Sequence, residues 1–188
     1  MKQWCTTQID VSNAFLHGDL EEEVYMTLPQ GYTGHGCQIT PLISKGGVQK
    51  PKTGEQVCKL LKSLYSLKQA PRQWFIKLSS AHVAYGLQQS KADYTLFTKT
   101  CNNGDFLTVH IYVDDMILIT CNTSVLANLK KYLHTQFHIK DLGTLSYFLG
   151  LEITHSSKGI SICQKKYTQD LLAEMHMLNS KPLHLPME

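Results

Sequence analysis

Phe106-Leu107-Thr108-Val109-His110-Ile111-Tyr112-Val113-Asp114-Asp115-Met116-Ile117-Leu118-Ile119-Thr120 is the stretch on which the fold turns. Leu107, Val109, Ile111 and Val113 alternate with more polar neighbours, the period of a half-buried strand. Residues 116–120 form a second apolar strand, and only Asp114-Asp115 separates the two. The pair predicts a tight hairpin over 106–120. Adjacent carboxylates beside so apolar a ribbon repel each other and resist ionisation. A turn open to water relieves this. A divalent cation also relieves it, by stabilising both charges at once. Asp is an ordinary turn residue, so both readings stand at this point.

Working outward, Asp10 closes another apolar strand, Gln8-Ile9-Asp10-Val11. If the two strand ends meet in the fold, their carboxylates form a clamp for two metal ions. Such a clamp serves in-line displacement at phosphorus. Between these landmarks, residues 24–28 alternate as a short strand. Residues 29–56 collect six Gly and three Pro, which predicts a long loop. Pro71 suits the first turn of a helix and Gly86 its stop. Trp74, Leu78, Ala81 and Tyr85 share one face of that helix.

Residues 94–99 read as a strand and 102–105 as the turn after it. A helix over 124–136 carries Leu126, Leu129 and Leu133 on one stripe, with Phe137 beyond. Residues 146–154 and 159–163 predict a second hairpin. A last helix carries Tyr167, Leu171, Leu172, Met175 and Leu178, with Pro182 as its stop. Mixed strands and helices in this order predict an α+β fold, with helices on one face of an antiparallel sheet.

The chain has 188 residues, 43% hydrophobic and 18% charged. That supports one core and excludes a mostly disordered chain. No apolar run is long enough for a membrane helix. Six scattered Cys without a Cys-x-x-Cys pair read as thiols of a reducing compartment. The net charge of +3 hides an asymmetry. Residues 1–44 hold one Lys against five acids, and residues 45–77 hold eight basic residues against Glu55 alone. The basic segment suits either a polyanion partner or a solvated surface. His134 and His138 have i, i+4 spacing, but no Glu follows His134 as a His-Glu-x-x-His motif requires, and zinc is not expected there.

Four motifs in order carry a family resemblance. Tyr112-Val113-Asp114-Asp115 looks like the YVDD box of reverse transcriptases. Gln8-Ile9-Asp10-Val11-Ser12-Asn13-Ala14-Phe15-Leu16-His17-Gly18-Asp19-Leu20 resembles the first palm motif of the copia-type LTR retrotransposon branch. Ser63-Leu64-Tyr65-Ser66-Leu67-Lys68-Gln69-Ala70-Pro71-Arg72-Gln73-Trp74 resembles its second. Lys140-Asp141-Leu142-Gly143 with Tyr147-Phe148-Leu149-Gly150-Leu151-Glu152-Ile153 is similar to its later palm and primer-grip motifs. The resemblance covers nearly all of residues 1–188. It implies a polymerase palm with part of the fingers, cut from a Pol polyprotein. In those terms 29–56 is a fingers-side loop longer than usual, 106–120 the YVDD hairpin and 146–163 the primer-grip region.

The resemblance also assigns roles. Asp10 and Asp114 are the metal-holding positions for two Mg²⁺, or Mn²⁺, and Asp115 is the supporting carboxylate. Phe15 matches the aromatic that excludes a 2′-OH, although an ordinary core Phe is the alternative. Tyr65, Lys68, Arg72 and Tyr112 fall at substrate-facing positions. Arg72 serves either a phosphate or the first turn of its helix. Ser66 stands where the branch usually has Gly. Lys140 matches a lysine that protonates the leaving pyrophosphate, with a plain surface Lys as the alternative. Phe148, Leu149 and Gly150 match the primer grip.

The implied partners are dNTPs and an RNA or DNA template with its primer, without a membrane, in a cytoplasmic particle. The upstream fingers strands, thumb and ribonuclease H part are expected to be missing. An isolated chain is then expected to be feeble, or an inactive remnant that at most binds nucleic acid.

Overall fold

A computed structural model describes residues 4–28, 30–31, 57–101, 104–181 and 183. Most of the 29–56 loop, positions 102–103 and Pro182 lie outside the described residues. The elements in chain order are β1 (Cys5–Val11), a 3-10 turn (Ala14–His17), β2 (Tyr25–Thr27), β3 (Val57–Lys59) and α1 (Ala70–Ala84). Next come β4 (Gln88–Gln89), β5 (Leu96–Thr100), β6 (Phe106–Tyr112), β7 (Asp115–Thr120) and α2 (Thr123–Gln136). The chain continues through β8 (Ile139–Thr144), β9 (Tyr147–Phe148), β10 (Leu151–Ser156), β11 (Gly159–Cys163) and α3 (Lys165–Glu174). The fold is α+β, as expected.

Six strands form the main sheet in the order β4-β5-β6-β7-β1-β8. Every neighbouring pair in it is antiparallel. Period-two alternation sends Leu107, Val109 and Ile111 of β6 and Met116 and Leu118 of β7 to one face. There they join Ile9 and Val11 in one buried cluster with Trp74 and Leu78 of α1 and Leu126, Leu129 and Leu133 of α2. Helices α1 and α2 therefore cover one face of this sheet, and the opposite face carries neither of them.

Local signals explain the helix positions. Pro71 sits in the first turn of α1, where its missing N–H costs nothing. Asn122 caps α2, accepting through Oδ1 from the Ser124 and Val125 N–H groups at 2.9 and 3.3 Å. Its own Nδ2 donates to Asp105 Oδ2 at 2.7 Å, which ties the cap to the approach to β6.

Four details depart from the sequence reading. The hairpin turns at Val113-Asp114, one residue earlier than expected, because Tyr112 pairs with Asp115. Asp115 thus begins β7, and Val113 leaves the strand at φ 55. β8 was not anticipated at all. Residues 146–154 are not one strand: Leu149 and Gly150 make a two-residue turn between β9 and β10, both at positive φ. Finally, α3 buries none of its residues, so its apolar stripe does not join the core.

The buried stripe of α1 is Ala70, Trp74, Leu78 and His82. His82 is fully buried, and its Nδ1 lies 2.8 Å from the Leu78 carbonyl. A carbonyl only accepts, so Nδ1 carries the proton. Burial pushes this imidazole below its ordinary pKa and keeps it neutral.

β8 joins β1 through a bulge. Thr7 and Gln8 face Thr144 and Gly143, but Ile9, Asp10 and Val11 face Asp141, Lys140 and Ile139. Leu142 is the extra residue. Gly143 has φ +77, a backbone state that glycine adopts without strain.

Candidate active site

The open face of the sheet carries one polar row. Tyr112 on β6 pairs with Asp115 on β7, Asp115 pairs with Asp10 on β1, and Asp10 pairs with Lys140 on β8. Directly paired residues share a face, so the four side chains stand side by side. Asp114 sits on the turn above them, and its carbonyl accepts from the Val11 N–H at 2.9 Å. Folding thus brings the two distant strand ends together.

Electrostatics mark the row. Desolvation raises the Asp10 pKa above the ordinary carboxylate value, and the charges of Asp114 and then Asp115 raise it further. Lys140 pulls the other way. The neighbouring residue on the same face of β1 is Gln8, 8% exposed. Its Nε2 donates to Asp115 Oδ1 at 2.9 Å. Sequence reasoning missed Gln8. The signal was its place two residues before Asp10 on a strand.

Beside the row, the 3-10 turn brings Phe15 against Tyr65, with ring centroids 4.7 Å apart. Gly18 lets this segment dock on the start of α1. A Cβ there would lie 3.2 Å from the Trp74 backbone nitrogen and 3.2 Å from Gln73 Cβ. Ser66 lies in an exposed turn, and its φ is not positive, so the backbone there does not require glycine.

The acidic and basic segments of the chain meet near here. Lys62 and Lys77 both hold Asp19, the latter at 2.6 Å, and Lys59 holds Glu23 at 2.7 Å. Asp19 and Glu23 are held below their ordinary pKa by these lysines. Neither sequence reading of the basic segment foresaw this internal pairing. Lys68 and Arg72 are exposed and make no ion pair or hydrogen bond with another described residue.

A family model described as reverse transcriptase (RNA-dependent DNA polymerase) matches residues 1–188. The chain belongs to this reverse transcriptase family. It is 36% identical over 96% of its length to the retrovirus-related Pol polyprotein from transposon TNT 1-94 of Nicotiana tabacum. It is 35% identical over 99% of its length to the Pol polyprotein from transposon RE2 of Arabidopsis thaliana, and 34% to that from RE1. These are copia-type polyproteins, and the chain spans 12% of the length of each. No solved structure matches it.

Within this reverse transcriptase fold, the remaining motif residues fall around the row. Phe148 is buried and packs edge-on to Tyr112, with centroids 6.4 Å apart. Leu149 is 51% exposed at the tip of the turn with Gly150. Of these three, Phe148 reaches the row, through its aromatic contact with Tyr112. Among the described residues, no three His, Cys, Asp or Glu groups converge to hold a metal ion. No helix among them is long and apolar enough to cross a membrane.

Proposed function

We propose that this chain is the palm core of an RNA-directed DNA polymerase that joins a dNTP to a primer 3′-OH by two-metal nucleotidyl transfer. The observation that carries this is the row Tyr112–Asp115–Asp10–Lys140 with Asp114 above it, on the face of the sheet that the helices leave open. The residues fit Mg²⁺. Their donors are hard carboxylate oxygens, and the repulsion that raises the Asp10 pKa is what a cation removes. Mg²⁺ commonly takes one or two carboxylates and completes its shell with water and substrate phosphates. That suits a site without a three-residue protein cage. Asp10 and Asp114 would hold the ions, and Mn²⁺ suits the same oxygens. When bound, such ions stabilise the charge on the attacking 3′-oxygen and on the leaving pyrophosphate.

The other residues position and neutralise. Phe15 and Tyr65 form an aromatic wall for the sugar of the incoming dNTP. Lys140 stands beside Asp10 with its ammonium exposed, and holds a proton at Nζ for the departing pyrophosphate. Phe148, Leu149 and Gly150 steady the primer end. Arg72 lies in the first turn of α1, where the helix dipole disfavours a cation. Helix stability therefore does not account for it, which supports a phosphate role for Arg72 and its neighbour Lys68.

Primer extension on poly(rA)/oligo(dT) with Mg²⁺, beside the Asp114→Asn variant, tests the proposal. Extension abolished by that variant supports it. Absence of extension by the unmodified chain overturns it, and leaves a remnant that at most binds nucleic acid.

Two further results are expected. Lys68→Ala and Arg72→Ala should each lower the slope of log K against log salt for primer–template binding by about one unit. Lys62→Ala and Lys77→Ala should leave the slope near that of the parent, because Asp19 already neutralises those charges. Equal effects from all four would refute this division.

The second result concerns Gln8. Gln8→Leu frees the Asp115 carboxylate to swing. Loss of such an outer-shell partner typically costs about 10–100-fold in metal affinity or activity. The half-saturating Mg²⁺ concentration should therefore rise about tenfold or more, with the folded-state circular dichroism unchanged.

A further inference from the structure

The turn that carries Asp114 is strained. Val113 has φ 55, a left-handed backbone state that is a genuine outlier for a β-branched residue. Such a state persists only where the surroundings over-determine it. Two hydrogen bonds do so here. One joins the Asp114 carbonyl to the Val11 N–H at 2.9 Å, on the strand that carries Asp10. The other comes from across the core. The Trp74 Nε1–H donates to the Val113 carbonyl at 2.6 Å.

Trp74 is well placed to hold something still. It is 2% exposed, and its ring meets Phe137 edge-on, with centroids 5.2 Å apart. His17 flanks it at 5.7 Å. An indole N–H is donor only, so a buried Trp needs an acceptor. This one uses the carbonyl of the strained residue. Trp74 also stands on α1, three residues after Pro71 and two after Arg72. The bond thus links the helix that presents Arg72 to the turn that presents Asp114.

We propose that Trp74 is a positioning residue, whose indole N–H holds the Val113-Asp114 turn in the strained conformation that aims the Asp114 carboxylate. The inference rests on the polymerase assignment made above for Asp114. It concerns a residue that contacts neither substrate nor metal.

Trp74→Phe keeps an aromatic ring in the core and removes the donor. In primer extension kcat should fall about 10–100-fold, with KM for primer–template within about threefold of the parent. Val113→Gly removes the penalty of positive φ. In that background, the further loss from Trp74→Phe should shrink to about threefold or less. An equal loss in both backgrounds, or a rise in KM without loss of kcat, would show that Trp74 acts by packing alone.

A second measurement does not depend on turnover. In protein labelled with ¹⁵N-Trp and carrying Trp4→Phe, one indole signal remains, that of Trp74. Its Nε1 proton should exchange slowly with solvent, and Val113→Gly should shift it. Fast exchange, as for an exposed indole, or an unshifted signal would overturn the inference. If the parent chain extends no primer, the polymerase assignment fails and the indole measurement alone decides whether Trp74 holds the turn.

Discussion

Asp114→Asn is expected to reduce Mg²⁺-dependent primer extension by at least about 10³-fold. The substitution keeps the size of the side chain and one oxygen, and removes the charge. Charge stabilisation by a bound metal contributes several kcal/mol, and each 1.36 kcal/mol is a factor of ten in rate. On the proposed two-metal reading, loss of Asp114 as a ligand therefore costs three powers of ten or more. The fold should survive, because it is the backbone carbonyl of residue 114 that bonds to Val11.

Asp10→Asn should match that loss of activity and yet raise stability. Burial first, then Asp114 and Asp115, hold the Asp10 pKa above 3.8. A carboxyl raised in the folded state binds its proton more tightly there than in the unfolded chain. Stability therefore falls as pH rises from 3.8 through the folded value, and the ionised form is a burden at neutral pH. Asn removes that burden. A thermal melt at pH 7 in EDTA should place Asp10→Asn a few degrees above the parent, with the gap closing as the pH is lowered toward 3.8. A lower melting temperature for the variant would contradict the mutual repulsion on which the metal proposal leans.

The largest loss of stability is expected from Leu118→Ala. Leu118 is fully buried at the centre of β7, paired with Val109 on one side and Thr7 on the other. Truncating a buried Leu costs about 2–5 kcal/mol, from lost transfer free energy and the cavity left behind. For a chain of this length that is a drop in Tm of about 5–15 °C. Ile119, the next residue, points to the other face and is half-buried. Ile119→Ala should cost clearly less. Equal costs would mean that the core is not confined to the helix-covered face.

The sequence legibility of this fold follows from what each segment buries. The hairpin at 106–120 was plain, because both strands are apolar on the core face. Its turn was misplaced by one residue because alternation counts Val113 as strand. No local preference signals a β-branched residue at positive φ, and the bond that holds it comes from Trp74, distant in the chain. β8 was invisible for the opposite reason. Five of its six residues are exposed, and a glycine interrupts it, so it has no apolar period to detect. It forms because β1 offers a free edge. His82 was legible in principle, since Ala70, Trp74, Leu78 and His82 recur every four residues. The positions of the carboxylates came from motif resemblance. Their convergence, and the Gln8 tether, needed the register of β1 against β7.

The bulge at Leu142 has a consequence for how the gene can change. If Leu142 paired with Ile9 and did not bulge, the register of Thr7 with Thr144 would continue unbroken along β1 and set Asp141 opposite Asp10. The row would then contain three acids in place of two acids and a lysine. An in-frame loss of Leu142, by contrast, would remove the bulge and still leave Lys140 opposite Asp10, with every motif carboxylate in place. Point substitutions at the exposed positions of this strand are readily absorbed, but a slip of its register is not. A chain of this lineage should therefore tolerate loss of the bulged residue far better than a slip of residues 139–141 along β1.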